Sequence, residues 1–154
     1  MTRVLVAYDF SPGAKAALER VDRLFPDAEL CLVHAIGLPV DKLSEHAPGE
    51  PPRIPAPEDL LAASERELQA VTRQGGHSPR CQAVVRLGNP VEVIFGAAAD
   101  FQPDLIVVGT HDKTAVQRLF LGSVAERIVK RSECPVLVVR GHPSKDPGAE
   151  PPHR

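Results

Sequence analysis

The chain has 154 residues, of which 25% are charged and 4% aromatic, with a formal net charge of −2 and no tryptophan. This length predicts one domain with a substantial core. The near-neutral charge gives no attraction to nucleic acid or to a membrane surface, and the few aromatic residues argue against a stacking platform for single-stranded nucleic acid.

The N-terminal residues show no secretion signal, because TRVLVAYDF after Met1 has neither a long apolar stretch nor a cleavage site of small residues. No apolar run approaches the roughly 20 residues of a membrane helix. The three cysteines, Cys31, Cys81 and Cys134, are odd in number and widely spaced. We therefore expect free thiols in a cytoplasmic protein.

The N-terminal segment predicts a strand followed by a helix. Arg3–Ala7 is a short apolar run, and Ser11 is suited to cap a helix in which Pro12 occupies the first turn. Apolar residues then recur at helical spacing from Ala17 to Phe25, and the helix is expected to end near Pro26.

The second predicted strand, Glu29–Ile36, is apolar almost throughout, which indicates burial on both faces in a parallel sheet. Within it we expect His34 to be a hydrogen-bonded core histidine rather than a ligand. The following segment, 37–57, is rich in proline and predicts a long loop, either a lid or a simple insertion.

The middle of the chain predicts a helix, a strand and a second helix. Glu58–Gln74 has the helical pattern, and Cys81–Leu87 mixes polar and apolar residues as a strand near a sheet edge would. Gly88-Asn89-Pro90 reads as a turn, an N-cap and a first helical position. The helix that follows is expected to end before Pro103.

The most informative stretch is a strand, a loop and a helix start. Leu105–Val108 is apolar and stops at Gly109, and Gly122-Ser123 opens a helical pattern after a polar loop that contains His111. Such a junction gathers backbone N–H groups and a helix N-terminus, which suits an anion such as phosphate. The other interpretation is that both glycines only serve tight turns and His111 only faces solvent.

The last predicted strand is Val136–Arg140, and residues 142–154 predict a disordered tail after a domain of residues 1–141. Strands and helices thus alternate, which predicts an α/β fold with a parallel sheet and helices on both faces. Ligands bind such sheets beyond the carboxyl ends of the strands. Asp9 and the Gly109 loop lie at two such ends, and they share one crevice if those strands are neighbours.

Several catalytic motifs are absent. The chain has no Walker-type loop, no dinucleotide-binding G-x-G-x-x-G after the first strand and no G-x-S-x-G elbow. The S-G-G-x-D-S loop of enzymes of the adenine nucleotide α hydrolase kind is also missing. These absences argue against NTPase, NAD-dependent and serine hydrolase chemistry, and we expect no catalytic residues and no protein-bound metal.

The ordered motifs of the chain resemble those of the universal stress protein family. The motifs are VLVAYDFS at Val4–Ser11, VHA at Val33–Ala35, GNP at Gly88–Pro90, VVGTHDKTAVQRLFLGSV at Val107–Val124 and CPVLVV at Cys134–Val139. The resemblance covers Arg3 to Arg140. It implies a five-stranded parallel sheet of order 3-2-1-4-5, Rossmann-like and similar to adenine nucleotide α hydrolases, a homodimer and, in one branch, ATP at the ends of the first and fourth strands.

The ATP-binding branch carries G-x-x-G, nine further residues and G-[ST]. Gly109 and Gly122-Ser123 match this pattern, but Asp112 replaces its second glycine. Aspartate adds a Cβ and a negative charge where the backbone is expected to approach phosphate. Lys113 or a bound Mg²⁺ would offset that charge.

Carried over by position, the resemblance implies a nucleotide site with two ends. Asp9 resembles the adenine contact, although it would equally serve as a turn or capping acid for the first helix. The implied site residues are Ala7, Asp9, Ala35, Val108, Gly109, Asp112, Gly122, Ser123 and Val124.

The resemblance therefore implies a stress-response protein that binds ATP or another adenine nucleotide, with at most slow ATP hydrolysis. The alternative is the branch that binds no nucleotide and acts through protein contacts, its protein partner being unknown. In both cases we expect dimerisation through an exposed edge strand at Val136–Val139.

Overall fold

The computed structural model describes residues 1–37, 55–75, 80–110 and 121–140. Most of the predicted proline-rich segment 37–57, the tail 142–154, His111 and Asp112 lie outside these residues.

Strands and helices alternate through the described residues, as the sequence predicts. They are β1 (Arg3–Ala7), α1 (Pro12–Leu24), β2 (Glu29–Ile36), α2 (Pro57–Gln74), β3 (Cys81–Leu87), α3 (Pro90–Phe101), β4 (Leu105–Gly109), α4 (Ser123–Arg131) and β5 (Val136–Val139). β4 extends one residue beyond its predicted end because Gly109 still pairs with Val139.

The strands form one parallel sheet in the order β3-β2-β1-β4-β5. This confirms the predicted fold class, and β3 lies at an edge as its mixed composition indicates. The core has two layers, in which α1 and α2 cover one face of the sheet and α3 and α4 cover the other. The central strand β1 and its neighbour β4 are buried on both faces.

The helix starts follow the predicted capping chemistry. The Ser11 hydroxyl accepts a hydrogen bond from the Ala14 N–H at 3.1 Å, and the Asn89 side chain accepts one from the Val91 N–H at 3.0 Å. At the end of α3, Gln102 adopts a left-handed conformation with φ of 51°, and Pro103 follows. The chain therefore leaves the helix where a proline requires it.

The cysteines are all free, and Cys31 is buried in the sheet. Burial raises the pKa of Cys31 and of Cys81 to about 12. Within the described residues, no helix has both the length and the apolar character needed to cross a membrane.

Candidate functional site

A cleft opens where β1 and β4 separate at their carboxyl ends. Their pairing stops at Val6 and Val107, whereas β1 remains paired with β2 as far as Val33 and β4 remains paired with β5 as far as Gly109. This is the point at which the strand order reverses, because α1 leads the chain from β1 to one side and α4 leads it from β4 to the other. Ligands bind α/β sheets at such points.

The cleft has a volume of about 200 Å³ and lies mainly on the face covered by α3 and α4, and it reaches the start of α1 at Tyr8, Ser11 and Ala14. Its walls include eight of the nine site residues expected from the sequence. They are Ala7, Asp9, Ala35, Val108, Gly109, Gly122, Ser123 and Val124. Asp112, the ninth, lies outside the described residues.

Sequence reasoning missed the wall formed by α3. Pro90 and Ile94 are one helical turn apart and both line the cleft. The predicted topology could have revealed this wall, because a right-handed crossover from β3 to β4 places α3 on the same face of the sheet as α4. Val33, the first residue of the motif Val33–Ala35 in β2, also lines the cleft but was not among the expected site residues.

Asp9 has a structural role as well as a place in the cleft. Its Oδ1 accepts a hydrogen bond from the Ser11 N–H at 3.0 Å, and Ser11 in turn caps α1. The residue is exposed, so its carboxylate keeps contact with solvent. The geometry therefore fits the turn-acid interpretation of Asp9, and the residue also lines the cleft.

The start of α4 forms a second part of the cleft wall. Gly122 precedes the helix with φ of 85°, and no side chain caps the first turn in the described part of the chain. The first N–H groups of a helix carry partial positive charge and lack partners within the helix. The Ser123 hydroxyl lies in the same wall, so this end suits an anion.

Gly109 has a packing reason to be glycine. A Cβ on Gly109 would overlap the backbone carbonyl of Gly13 in the first turn of α1, and a Cβ on Gly13 would overlap the carbonyl oxygen of Thr110. The start of α1 and the end of β4 thus touch backbone to backbone. The identity of Gly109 is explained by this contact without any ligand.

The described walls of the cleft are mostly apolar. Asp9 is the only charged side chain among them, and no lysine or arginine is present in this part of the lining. Burial, followed by the charge of Asp9, raises the pKa of the nearby Tyr8 above its ordinary value. The cleft therefore combines a small apolar slot with one carboxylate and one helix N-terminus.

The family model and the curated relatives that match this chain point to the same family. The family model described as the universal stress protein family matches residues 1–140. A universal stress protein of Thermus aquaticus, encoded in the 3′ region of a QAH/OAS sulfhydrylase, is 38% identical over 140 residues, which cover 89% of this chain and 97% of the relative.

Solved structures share the fold. The hypothetical protein MJ0577 of Methanocaldococcus jannaschii superimposes with a TM-score of 0.70 at 26% identity, covering 93% of this chain and 98% of that protein. A universal stress protein in complex with cAMP superimposes with a TM-score of 0.59 at 25% identity, covering 93% and 98% of the two chains.

Proposed function

The chain belongs to the universal stress protein family, and from that membership we propose that it binds an adenine nucleotide in the cleft between β1 and β4. The observation that carries the proposal is that one carboxylate and one helix N-terminus, which no described side chain caps, share a small apolar cavity. In a bound nucleotide, the carboxylate would serve the purine at one end of the cavity and the helix N-terminus would serve the phosphate at the other.

At one end, the base would lie between small apolar side chains. Ala7, Ala35 and Val108 leave space for a flat ring, and larger residues at these positions would fill it. The Asp9 carboxylate can accept a hydrogen bond from an exocyclic amine, which adenine carries. Because Oδ1 also holds the Ser11 N–H, the direction of the carboxylate is fixed before a ligand arrives.

At the other end, phosphate would meet the N–H groups of Gly122, Ser123 and Val124 and the Ser123 hydroxyl. The motif match implies that Asp112 would lie near the phosphates, where its negative charge would oppose binding. A carboxylate a few ångströms from a triphosphate costs about 1 to 4 kcal/mol, depending on exposure. That is a loss of about five-fold to several-hundred-fold in affinity.

The related structure in complex with cAMP supports an adenine nucleotide as the ligand class. We propose ATP, ADP or AMP as candidates, and the negative charge of Asp112 disfavours the longer phosphate chains. Mg²⁺ would reduce that penalty by arriving with the phosphates. Among the described residues, no three His, Cys, Asp or Glu side chains are grouped so that they could hold a metal ion.

We propose a binding protein rather than a fast catalyst. Among the described lining residues, Asp9 is the only carboxylate, and the proposal places it at the base, away from a terminal phosphate. Without a general base beside the attacking water, hydrolysis loses the roughly 10²- to 10⁴-fold contribution of such a group. ATP hydrolysis is therefore at most slow.

Isothermal titration with AMP, ADP and ATP, each with and without Mg²⁺, tests the proposal. Asp9→Asn should weaken binding about 10- to 100-fold, because it removes a charged acceptor of a hydrogen bond. Asparagine retains the oxygen that accepts from the Ser11 N–H, so the turn is kept. Asp112→Gly should raise the affinity for ATP more than the affinity for AMP.

Asp27→Asn is the matched control, because the Asp27 side chain is 94% exposed and makes only a 3.6 Å ion pair with Arg80 among its described contacts. It should leave nucleotide affinity unchanged. If neither the natural protein nor the Asp112→Gly variant binds an adenine nucleotide at millimolar concentration, the proposal is wrong.

The second candidate is the branch of the family that binds no nucleotide and acts through protein contacts. Two observations favour it, namely the aspartate in the motif and the packing role of Gly109. The same titration separates the two candidates. A cytoplasmic location is our prediction in either case, and the sequence names no protein partner.

We propose that two chains associate through β5, which is an edge strand of only four residues. The Ile106 N–H donates to the Pro135 carbonyl and the Thr110 N–H donates to the Val139 carbonyl. By the alternation of a parallel ladder, the backbone groups of Val136 and Val138 point away from β4. An identical strand of a second chain would pair with them.

Val138→Pro tests this interface, because it removes an outward N–H without removing a bond to β4. The variant should be monomeric by light scattering at tens of micromolar, and Val138→Thr, which keeps the N–H and the shape, should remain dimeric. A natural protein that is monomeric at that concentration would refute the interface.

A further inference from the structure

On the face of the sheet opposite α3 and α4 lies a cluster of three rings, one of which belongs to Tyr8, a residue that also lines the cleft. Val33 and Ala35 line the cleft, so strand alternation directs His34 between them to the other face. There the ring centroids of His34 and Phe10 are 4.9 Å apart at an interplanar angle of 71°. Phe10 also meets Tyr8 edge to face at 5.3 Å and 82°.

His34 is bonded to the backbone of the loop that carries Asp9. Its Nδ1 lies 2.9 Å from the Tyr8 carbonyl oxygen, which can only accept, so Nδ1 carries the proton. The Tyr8 N–H donates to the Val33 carbonyl at 2.8 Å. Both backbone groups of the residue before Asp9 are therefore held by β2.

The residue after Asp9 is held by its side chain. Phe10 has a φ of 62°, in the left-handed region that a bulky residue rarely adopts. Such a conformation persists only where the surroundings enforce it, and the surroundings here include the rings of Tyr8 and His34. Asp9 thus lies between two residues that His34 contacts, one through a hydrogen bond and one through its ring.

We propose that His34 is a positioning residue of the cleft, which fixes the direction of the Asp9 carboxylate from the opposite face of the sheet. The inference rests on the proposed function in one respect, that Asp9 contacts the base of a bound nucleotide. His34 itself does not line the cleft. Its effect on a ligand passes mainly through its hydrogen bond to the Tyr8 carbonyl, and the contact with the Phe10 ring is secondary.

Two substitutions separate the two contacts of His34. His34→Asn can place an amide N–H where Nδ1–H stands but loses the ring, and His34→Phe keeps a ring against Phe10 but loses the donor. We expect His34→Phe to lower AMP affinity about ten-fold, the equivalent of one hydrogen bond, and His34→Asn to restore most of that loss.

A measurement without nucleotide examines the same loop. Amide hydrogen exchange followed by NMR reports the Ser11 N–H, which is bonded to Asp9 Oδ1. His34→Phe should speed this exchange about ten-fold, as expected when one hydrogen bond that holds the loop is lost. Nitrogen NMR of the natural protein should show the neutral His34 ring protonated at Nδ1.

These outcomes distinguish the inference from the proposed function. If no adenine nucleotide binds the natural protein, the proposed function fails. The inference about His34 is still tested in that case, by the exchange rate of the Ser11 N–H and by the tautomer of the His34 ring. A neutral ring protonated at Nε2 overturns it. The inference is also overturned if His34→Phe leaves the exchange rate of the Ser11 N–H unchanged. It is overturned as well if His34→Asn lowers AMP affinity as much as His34→Phe does.

Discussion

Replacing Gly13 by alanine should destabilise the protein, although alanine is normally the better residue in a helix. Gly13 lies in the first turn of α1 and is buried. A Cβ there would overlap the Thr110 carbonyl oxygen and stand 3.0 Å from the Thr110 carbonyl carbon. Both atoms belong to the backbone, so no side chain can rotate to make room.

The magnitude follows from two opposing terms. Alanine gains about 0.5 to 1 kcal/mol over glycine within a helix. Forcing atoms into a well-packed interior costs about 1 to 3 kcal/mol. Because the overlap is with backbone atoms, the cost should lie in the upper part of that range, at about 2 to 3 kcal/mol. The net loss is then about 1 to 2.5 kcal/mol, or a fall of about 2 to 10 °C in Tm for a chain of this length.

Gly96→Ala is the matched control, because Gly96 also lies within a helix, α3. A Cβ on Gly96 would lie 3.1 Å from Nη1 of Arg86, the end of a flexible side chain. Here the neighbour can move, so alanine should stabilise the protein by about 0.5 to 1 kcal/mol.

Urea unfolding followed by circular dichroism measures both variants, and a shifted midpoint at constant slope reports a change in stability. The reasoning is refuted if Gly13→Ala is as stable as the natural protein or more so. A second consequence is local. The displaced end of β4 forms one wall of the cleft, so Gly13→Ala should also weaken nucleotide binding, whereas Gly96→Ala should not.

Three further predictions concern the core, a helix cap and the thiols. Leu68→Ala should cost about 2 to 5 kcal/mol in unfolding free energy, because the Leu68 side chain is fully buried. Asn89→Ala should cost about 1 kcal/mol, because it removes the acceptor for the Val91 N–H, and restoration by Asn89→Asp would show that the cap is responsible. At pH 8, Cys31 and Cys81 should resist a thiol reagent in the folded protein and react in denaturant, because burial raises the pKa of each thiol to about 12. Rapid labelling of these two thiols without denaturant would contradict this.

The sequence predicted the elements well because its signals are local. Proline and capping residues stand at the starts of α1 and α3, and continuous apolar runs mark the central strands. The order of the strands is not a local property. Hydrophobic periodicity indicated a parallel sheet with helices on both faces, and only the family resemblance placed β1 beside β4, which is the condition for Asp9 and Ser123 to share a cleft.

Contacts between distant segments could not be predicted in the same way. The His34 bond to the Tyr8 carbonyl requires β2 to lie beside β1 in a particular register. The left-handed Phe10 is also invisible in the sequence, since a phenylalanine gives no sign of positive φ. Sequence reasoning therefore expected His34 to be hydrogen-bonded but could not name its partner, and the contact of Asp9 with a ligand stays a prediction.

The two motif glycines that the structure describes do not carry equal weight for a nucleotide site. Gly109 is required by the backbone of Gly13, so a relative that has lost its ligand would still need glycine there. Among the described residues, no atom lies within 4 Å of the place a Cβ on Gly122 would take, and the φ of 85° is the reason for glycine there. That conformation turns the chain into α4 at the edge of the cleft. A match at Gly122-Ser123 is therefore the more informative sign of an anion site, and a match at Gly109 is a sign of the fold.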